Sequence, residues 1–419
     1  MEAKVAEKSF GPLQGVRVLE LGSSVSGPFC GRLLADFGAE VIKVEIESGD
    51  PVRSMSKRVQ GRSLYAASIF RNKELVSINL RDEDGRELVR QLSEQCDIVV
   101  ENFRPGTLHK WGLGYEDLAA RNPGLVMVHI SGFGQSGPYR ERAGYGAIGD
   151  AISGLRHLTG DPDRPPARIA ASVVDEVTGL YGALGAVMAL RVRDQTGQGQ
   201  EVDSALYESA FSLVEPHVPV YGKLGIVPTR VGSRLPDSAP NNLYVAQDGH
   251  YVHITAMGDS VFMRLAQAMN RPDLALDPLY QTGQARSANE EDLDRIIGQW
   301  AVGYTARELE RMLEDNGVPA ARIYDMADVF KDEHFLEREM LVKVQDPVLG
   351  ELTVPGIVPK LSRTPGRVVH AGRDIGQNTH EVLERLLGMD VESISKLEAS
   401  RAIFCGALKT PKSQMEAQP

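Results

Sequence analysis

The 419-residue chain predicts an α/β protein built around a parallel sheet, joined to a smaller α+β domain. Three observations carry this. VRVLEL (Val16 to Leu21), the turn-and-helix stretch GSSVSGPFCGRLLADFG and AEVIKVE (Ala39 to Glu45) form a strand–helix–strand unit. ELVSINL, a helix over about 84–94, DIVVENF and the strand in GLVMVHISGFG (Gly124 to Gly134) continue the alternation. From about Tyr221 the pattern changes: LYVAQDGHYVHITA reads as an antiparallel hairpin turning at Asp248-Gly249, and short helices such as DSVFMRLAQAMN and ANEEDLDRIIGQWAV follow.

The length exceeds a single ordinary core, so two domains are expected. A composition of 42% hydrophobic and 25% charged residues is that of a globular protein. The formal charge of -11 argues against a general nucleic-acid binder but leaves room for a local basic site for an anionic ligand. Cys30, Cys96 and Cys405 are far apart and odd in number, which fits a reducing compartment and offers no disulfide framework or CxxC metal site. MEAKVAEKSF lacks an apolar core, and no stretch approaches the ~18 uninterrupted apolar residues of a membrane span. A cytoplasmic protein without a membrane partner is the expectation.

Along the chain, Gly22, Gly27 and Gly31 after the first strand invite comparison with a dinucleotide loop. Their spacing is GxxxxGxxxG and Pro28 occupies the turn, so NAD binding has little support. Loops after strand C-termini are where open α/β sheets bind ligands. That selects ENFRPG (Glu101 to Gly106) and SGFGQSGPYRERAGYG (Ser131 to Gly146). Arg104 and, from the following TLHKWG, Lys110 sit beside a strand end, and Arg81 can join them from the preceding connection. Such cations suit a polyphosphate, Arg as a fork and Lys as a point charge; the plain alternative is solvated surface charge.

In ARIAASVVDEVTGLYGALGAVMAL (Ala167 to Leu190), Asp175 and Glu176 stand in a run otherwise uncharged from Ile169 to Leu190. Val177, Leu180, Tyr181, Leu184, Val187 and Met188 recur at helical spacing on one face. Gly179, Gly182, Ala183, Gly185, Ala186 and Ala189 keep that helix thin enough for other backbone to approach. Asp175 marks the helix start. It reads either as an N-cap, worth about 1 kcal/mol, or as a carboxylate held there to attack an activated acyl group.

The turn TGQGQ leads to a short strand (Glu201 to Ser204), and Asp203 and Glu208, which follow the turn, read as cap and helix-surface residues. His250 and His253, three apart on a strand, point to opposite faces and read as structural. No serine sits in a GxSxG elbow, and no ligand cluster supports a metal. After about Glu339, VKVQDPVLGELTVPG and THEVLERLLG return to strand and helix, and ALKTPKSQMEAQP reads as a mobile tail. The boundaries are 11–220 for the first part of the large domain, 221–339 for the small one, 340–405 for the returning segment and 406–419 for the tail.

PLQGVRVLELGSSVSGPFCGRLLADFGAEVIKVEIESGDPVR, ENFRPGTLHKWGLGYEDL, ISGFGQSGPY, TGQGQEVD, GSRLPDSAP, GVPA near Gly317 and THEVLERLLG occur in order from about Pro12 to near Ser400. Together they resemble the class III CoA-transferase (CaiB/BaiF) family, which includes the formyl-CoA transferases. The resemblance implies a large Rossmann-like domain made from the N-terminal half and the C-terminal segment, a smaller inserted α+β domain, and an interlocked, intertwined homodimer. Asp175, in DEVTG, matches the family's catalytic aspartate in Asp-x-x-x-Gly. Asn102, Phe103, Arg104 and Lys110 fall where the family contacts CoA, Arg81 at a further basic contact, and Ser24 and Val25 in the pocket-lining turn after the first strand. Two family cations are missing: Ile46 stands where formyl-CoA transferases carry arginine, and Ala143 near an aligned lysine, with Arg142 available as a replacement.

Alpha-methylacyl-CoA racemases share the implied fold and aspartate but pair it with a histidine in Gly-His-Asp. Here the segment is AGYGAIGD, with Tyr145 at that position of the acyl-CoA site. Moving a proton off and onto an α-carbon needs a base and an acid, so transfer is favoured over racemisation. The implied activity moves CoA from an acyl-CoA, succinyl-CoA or another dicarboxyl-CoA, to a small carboxylic acid through aspartyl anhydride and aspartyl-CoA thioester intermediates. CoA is then a substrate, and no prosthetic group is required. A non-catalytic CoA-binding protein is the remaining alternative. Arg53 in GDPVR and Arg234 in GSRLP are further cations for a second carboxylate, unless they serve as salt bridges.

Overall fold

The computed structural model of the protein describes residues 10–406. It divides into two compact units, one of 10–155, 169–218 and 337–406, the other of 156–168 and 219–336. Residues 407–419 of the expected tail lie outside the described residues.

The first unit is built on a seven-stranded sheet. Six strands are parallel: β1 (Arg17–Glu20), β2 (Glu40–Glu45), β3 (Lys73–Ile78), β4 (Ile98–Glu101), β5 (Val126–Ser131) and β6 (Glu201–Ala205). Their order is β3-β2-β1-β4-β5-β6, the doubly wound arrangement whose ligand crevice opens where β1 and β4 diverge. β1 to β5 are buried almost throughout, as parallel strands covered on both faces must be. Successive residues serve opposite layers. Val18, Val41, Ile98 and Val126 meet α1 (Ser26–Asp36). Leu19, Ile42, Val99 and Met127 meet α2 (Glu83–Glu94) and the helix Thr379–Leu387.

α3 (Gly146–Ile152) and α4 (Val173–Thr196) follow β5. The face of α4 that meets the unit is the small-residue one. A Cβ on Gly179 would lie 2.7 Å from the Ser26 carbonyl oxygen, and one on Gly182 3.2 Å from Val128. Of the expected apolar face, Leu180, Tyr181, Leu184, Val187 and Met188 are exposed and Val177 is half-buried. By length and composition α4 could cross a bilayer; its glycine- and alanine-lined contact with α1 and the sheet makes it a packed helix of this unit.

The returning segment is stitched to β3, which would otherwise be an open edge. Asn378 Oδ1 accepts from Leu75 N at 3.1 Å and Thr379 Oγ1 from Ser77 N at 2.9 Å. The strand Ile403–Phe404 then pairs antiparallel with β3. Buried Arg71 clamps Asp36 through Nε at 2.9 Å and Nη2 at 2.6 Å, and donates to the Pro355 carbonyl at 2.8 Å.

The second unit holds an antiparallel sheet of β7 (Asn241–Val245), β8 (Tyr251–Thr255) and β9 (Ala320–Arg322). The β7–β8 hairpin turns at the expected place, with Gly249 at φ +77°. Phe262, Leu265, Leu293, Ile297, Leu309 and Leu313 from three helices cover Tyr244, Val252 and Ile254. His253 bonds Asn241 Oδ1 at 2.8 Å, and His250 is exposed beside the turn. One segment departs from the sequence reading: 156–168, expected in the large domain, joins this unit. Arg230 donates to the His157 and Asp161 carbonyls, both at 3.1 Å, and Gly232 N to the Gly160 carbonyl at 3.2 Å. Backbone bonds of that kind leave no trace in hydrophobic periodicity.

Candidate active site

The loops after β1 and β4 are joined by one side chain. Asn102 Oδ1 accepts from Ser23 N at 2.8 Å, while its Nδ2 donates to the Ser23 carbonyl at 2.7 Å. The glycines that resemble a dinucleotide loop serve close packing. Gly22 and Gly27 approach so nearly that a Cβ on either would lie 3.0 Å from the other's Cα. A Cβ on Gly31 would fall 1.8 Å from the buried Glu20 carboxylate.

Ser24 adopts φ +64°, a conformation uncommon outside glycine. Asp50 Oδ1 holds it there, accepting from Ser24 N at 3.0 Å, and Lys43 Nζ pairs with Asp50 at 3.1 Å while donating to the Gly22 carbonyl. The Val25 side chain is turned into a core cluster with Val52, Ala66, Ile69 and Phe70, so Val25 serves the turn as the N-cap residue of α1.

After β4, the Phe103 ring meets Trp111 edge-on at 5.5 Å. Arg104 and Lys110 are exposed, and so is Arg81 beyond β3. Among the described residues none of these three cations has a carboxylate partner. Arg104 and Lys110 share one loop and the short helix Thr107–Lys110. Arg81 emerges at the same edge of the sheet, but three strand spacings, about 14 Å, separate β3 from β4.

Asp175 lies on the third residue of α4, with Ser172 at the N-cap position. This corrects the capping alternative: the carboxylate stands inside the first turn, where the helix dipole still favours its charge. The loop after β5 closes on itself where a Cβ on Gly144 would lie 2.5 Å from the Gly132 Cα. Gly146 is thereby set against the nucleophile candidate, its position for a Cβ only 2.2 Å from Asp175 Oδ2. Tyr145, the residue before it, caps α3 with its ring 73% exposed. Asp203, expected to be a cap, anchors the same loop by accepting from Gln135 N at 2.8 Å.

Two neighbours of the acidic pair, Tyr65 and Arg32, escaped the sequence reading. Tyr65, from the short helix Leu64–Ile69, has its hydroxyl pushed up to about 12 by burial and then by the charges of Glu176 and Asp175. Burial also raises the Glu176 carboxyl, with Arg32 opposing. No local signal marks Tyr65, which stands 110 positions before Asp175 and reaches it only through the fold.

Over residues 13–379 the chain matches the model of CoA-transferase family III. The chain belongs to that family. It is 48% identical over 394 residues to the succinyl-CoA–D-citramalate CoA-transferase of Chloroflexus aurantiacus, covering 94% of this chain and 98% of the relative. It is 41% identical over 397 residues to the beta subunit of that organism's succinyl-CoA–L-malate CoA-transferase, with the same coverage of 94% and 98%. A crystal structure of a CaiB/BaiF family protein from Brucella suis superposes with a TM-score of 0.81 at 34% identity, covering 90% of this chain and all of that one.

In this transferase the two further cations of the sequence reading are already committed. Arg53 clamps Glu45 at 2.6 and 2.7 Å and donates to the Arg373 carbonyl. Arg234 pairs with Asp294 at 3.2 Å and Glu290 at 3.6 Å. Beneath the ENFRPG loop lies a triad in which His129 and Glu101 are buried and Glu201 is exposed. His129 Nδ1 meets Glu101 Oε1 at 2.6 Å and its Nε2 meets Glu201 at 3.0 Å, while Glu101 Oε2 accepts from Phe103 N at 2.7 Å.

Burial works against the His129 charge, but the bonds and charges of the two glutamates outweigh it and raise its pKa. A histidine raised in the folded state contributes stability in full below its unfolded value of about 6.5. That contribution is lost as pH rises through the folded value. Urea denaturation across pH 5 to 9 should therefore show stability falling above about pH 6.5 in the native chain, and His129→Gln should flatten that slope. An unchanged slope in the variant would mean that His129 does not carry the effect.

Proposed function

We propose that this transferase moves CoA from succinyl-CoA or another dicarboxyl-CoA to a small carboxylic acid, with Asp175 as the temporary acyl carrier. The observation that carries the reading is the Asp175 carboxylate in the first turn of α4, with the bare Cα of Gly146 against it. The succinyl-CoA-dependent activities of the Chloroflexus relatives support the dicarboxyl donor.

In the first step Asp175 attacks the thioester carbonyl, forming an aspartyl–acyl anhydride and releasing CoA thiolate. The thiolate then attacks the aspartyl carbonyl, giving an aspartyl-CoA thioester and the free donor acid. The acceptor carboxylate attacks that thioester, and the released thiolate takes the new acyl group from the resulting anhydride, restoring Asp175. Carboxylates are poor nucleophiles toward thioesters in water, and dividing the exchange into acyl transfers is the gain from covalent catalysis. First-turn N–H groups, which helix geometry leaves without internal acceptors, suit the oxyanion of each tetrahedral state. Both activated intermediates hydrolyse if water enters, so the closed reaction space must be dry.

For the CoA moiety we assign Asn102 and Ser24 to the joined turns, Phe103 to an apolar wall, and Arg104, Lys110 and Arg81 to the phosphates. Tyr145 stands where a racemase needs a second proton carrier, which supports transfer. The exposed stripe Leu180, Tyr181, Leu184, Val187 and Met188 on α4 supports an intertwined homodimer, since a contiguous apolar face of this kind is an association surface. The three free cysteines support a cytoplasmic location.

Asp175→Asn, nearly isosteric, should lower transfer on the order of 10³-fold or more with melting unchanged, the scale of a lost nucleophile. Hydroxylamine should trap an acylated Asp175 in the native enzyme; transfer near the native rate in the variant would remove Asp175 from the mechanism. Arg104→Ala with Lys110→Ala should raise the KM for acyl-CoA roughly tenfold, about 1.4 kcal/mol of lost charge-assisted bonding. Unchanged kinetics would make these cations ordinary surface charge. Leu184→Glu with Met188→Glu should convert a dimer to monomers by light scattering, and a dimer that survives both changes would place the interface elsewhere.

A further inference from the structure

We propose that Arg32 is a specificity-determining residue, the cation that receives the remote carboxylate of a dicarboxyl acyl group while the other end reacts at Asp175. The assignment rests on the dicarboxyl-CoA reading above and goes beyond it by naming the group that distinguishes such substrates.

Arg32 lies on α1, the helix that begins at the Ser24–Val25 turn. Its guanidinium stacks over the Phe29 ring at 4.1 Å, and its side chain is only 15% exposed. The Nε is buried with no hydrogen-bond partner among the described residues. Asp36, at 3.8 Å, is the one carboxylate in ion-pair reach among the described residues. That carboxylate is already occupied by Arg71 at 2.6 and 2.9 Å and by Asn72 at 3.0 Å. A guanidinium presents five donors in a fixed planar fork, and burying it without acceptors is costly unless a ligand supplies them.

The position joins this unmet fork to the nucleophile. Phe29 packs into the seam between α1 and α4, its Cδ1 3.2 Å from where a Gly179 Cβ would be. Gly179 lies one turn along α4 from Asp175. Tyr65 closes the group, its hydroxyl feeling the charges of Glu176, Asp175 and Arg32 together. Burial depresses the Arg32 guanidinium, Arg71 adds to this, and Asp36, Glu176 and Tyr65 oppose it.

The other inward cations of this unit are spoken for. Arg53 is held by Glu45, Arg71 by Asp36, Lys43 by Asp50 and Lys73 by Glu20 at 2.6 Å. Among the described residues, Arg32 is the buried cation in reach of this cluster whose Nε has no acceptor. A carboxylate two methylenes from a thioester carbonyl matches it in charge and in planar two-oxygen geometry. An acyl group ending in a methyl would leave the fork as it stands.

The test compares succinyl-CoA with butyryl-CoA, which has the same chain length and lacks the second carboxylate, in the native enzyme, Arg32→Gln and Arg32→Lys. The preference is read as the ratio of kcat/KM for the two donors, with melting followed for each protein. The native enzyme should prefer succinyl-CoA. Arg32→Gln should lower that ratio at least tenfold through the KM for succinyl-CoA, and Arg32→Lys, which keeps the charge and loses the fork, should lower it by less. If the glutamine variant fails to fold, the lysine variant carries the comparison.

A ratio unchanged in the folded variants, or equal losses for both donors, overturns the role of Arg32 while leaving the dicarboxyl reading in place. A native enzyme that does not prefer succinyl-CoA overturns that reading, and the assignment of Arg32 with it.

Discussion

A methyl group at Gly179 would sit 2.7 Å from the Ser26 carbonyl oxygen, and one at Gly146 would sit 2.2 Å from the Asp175 carboxylate. At Gly179 the obstacle is backbone, so glycine there is a condition of the packing; at Gly146 it is the Asp175 carboxylate itself, which a Cβ would push aside. The approach at Gly179 lays the second turn of α4 against the first turn of α1, beside the Ser24 turn. The approach at Gly146 brings the loop after β5 over the same spot. Asp175 thus owes its place to missing side chains in its neighbours, and a bulkier residue at either position would move the carboxylate before it changed any chemistry.

Beneath that surface, the carboxyl ends of β1 and β2 and the amino end of β3 hold a group of buried ions. Glu20, Lys43, Lys73, Asp50 and Glu45 are all nearly inaccessible. Burial raises the Glu20 carboxyl against the opposing charges of Lys73 and Lys43. At Lys43 burial acts to lower the pKa, but Asp50, Glu20 and Glu45 outweigh it and raise it. Replacing such ions by apolar residues often costs a fold nothing, so their value lies in what they orient. Here Lys43 and Asp50 fix a serine in a left-handed turn at the lip of the site. The Glu101–His129–Glu201 triad does the equivalent for the next loop by holding the Phe103 amide. Polar interiors support both loops while the aliphatic residues of the same strands support the layers.

The strand–helix alternation, the Asp248-Gly249 hairpin and the return of the chain after the small unit were legible because each is a local pattern of apolar spacing and turn residues. Asp175 was legible as a residue, being half of an acidic pair in a long apolar run. Its position in the helix was not. Ser172 takes the cap position three residues earlier, and nothing in SVVDEV distinguishes the two registers. The segment 156–168 was misassigned because it is held by arginine–carbonyl bonds from a distant stretch, which no periodicity reports. The expected apolar face of α4 is real, yet the structure turns the glycine face inward.

The amino-acid order alone determined the doubly wound sheet, the family and the acidic residue around which a mechanism can be written, since repeated short motifs and hydrophobic periods survive without coordinates. Only the tertiary structure decided which groups meet at that residue. Arg32, Tyr65 and Gly146 come from separate stretches, each unremarkable in its own context, and Arg53 and Arg234 lost their candidacy to carboxylates that folding brought to them. The reason is that burial and charge pairing are properties of neighbours in space. A cation is available to a substrate only when the folded chain leaves it without an acceptor, and that cannot be counted along a line.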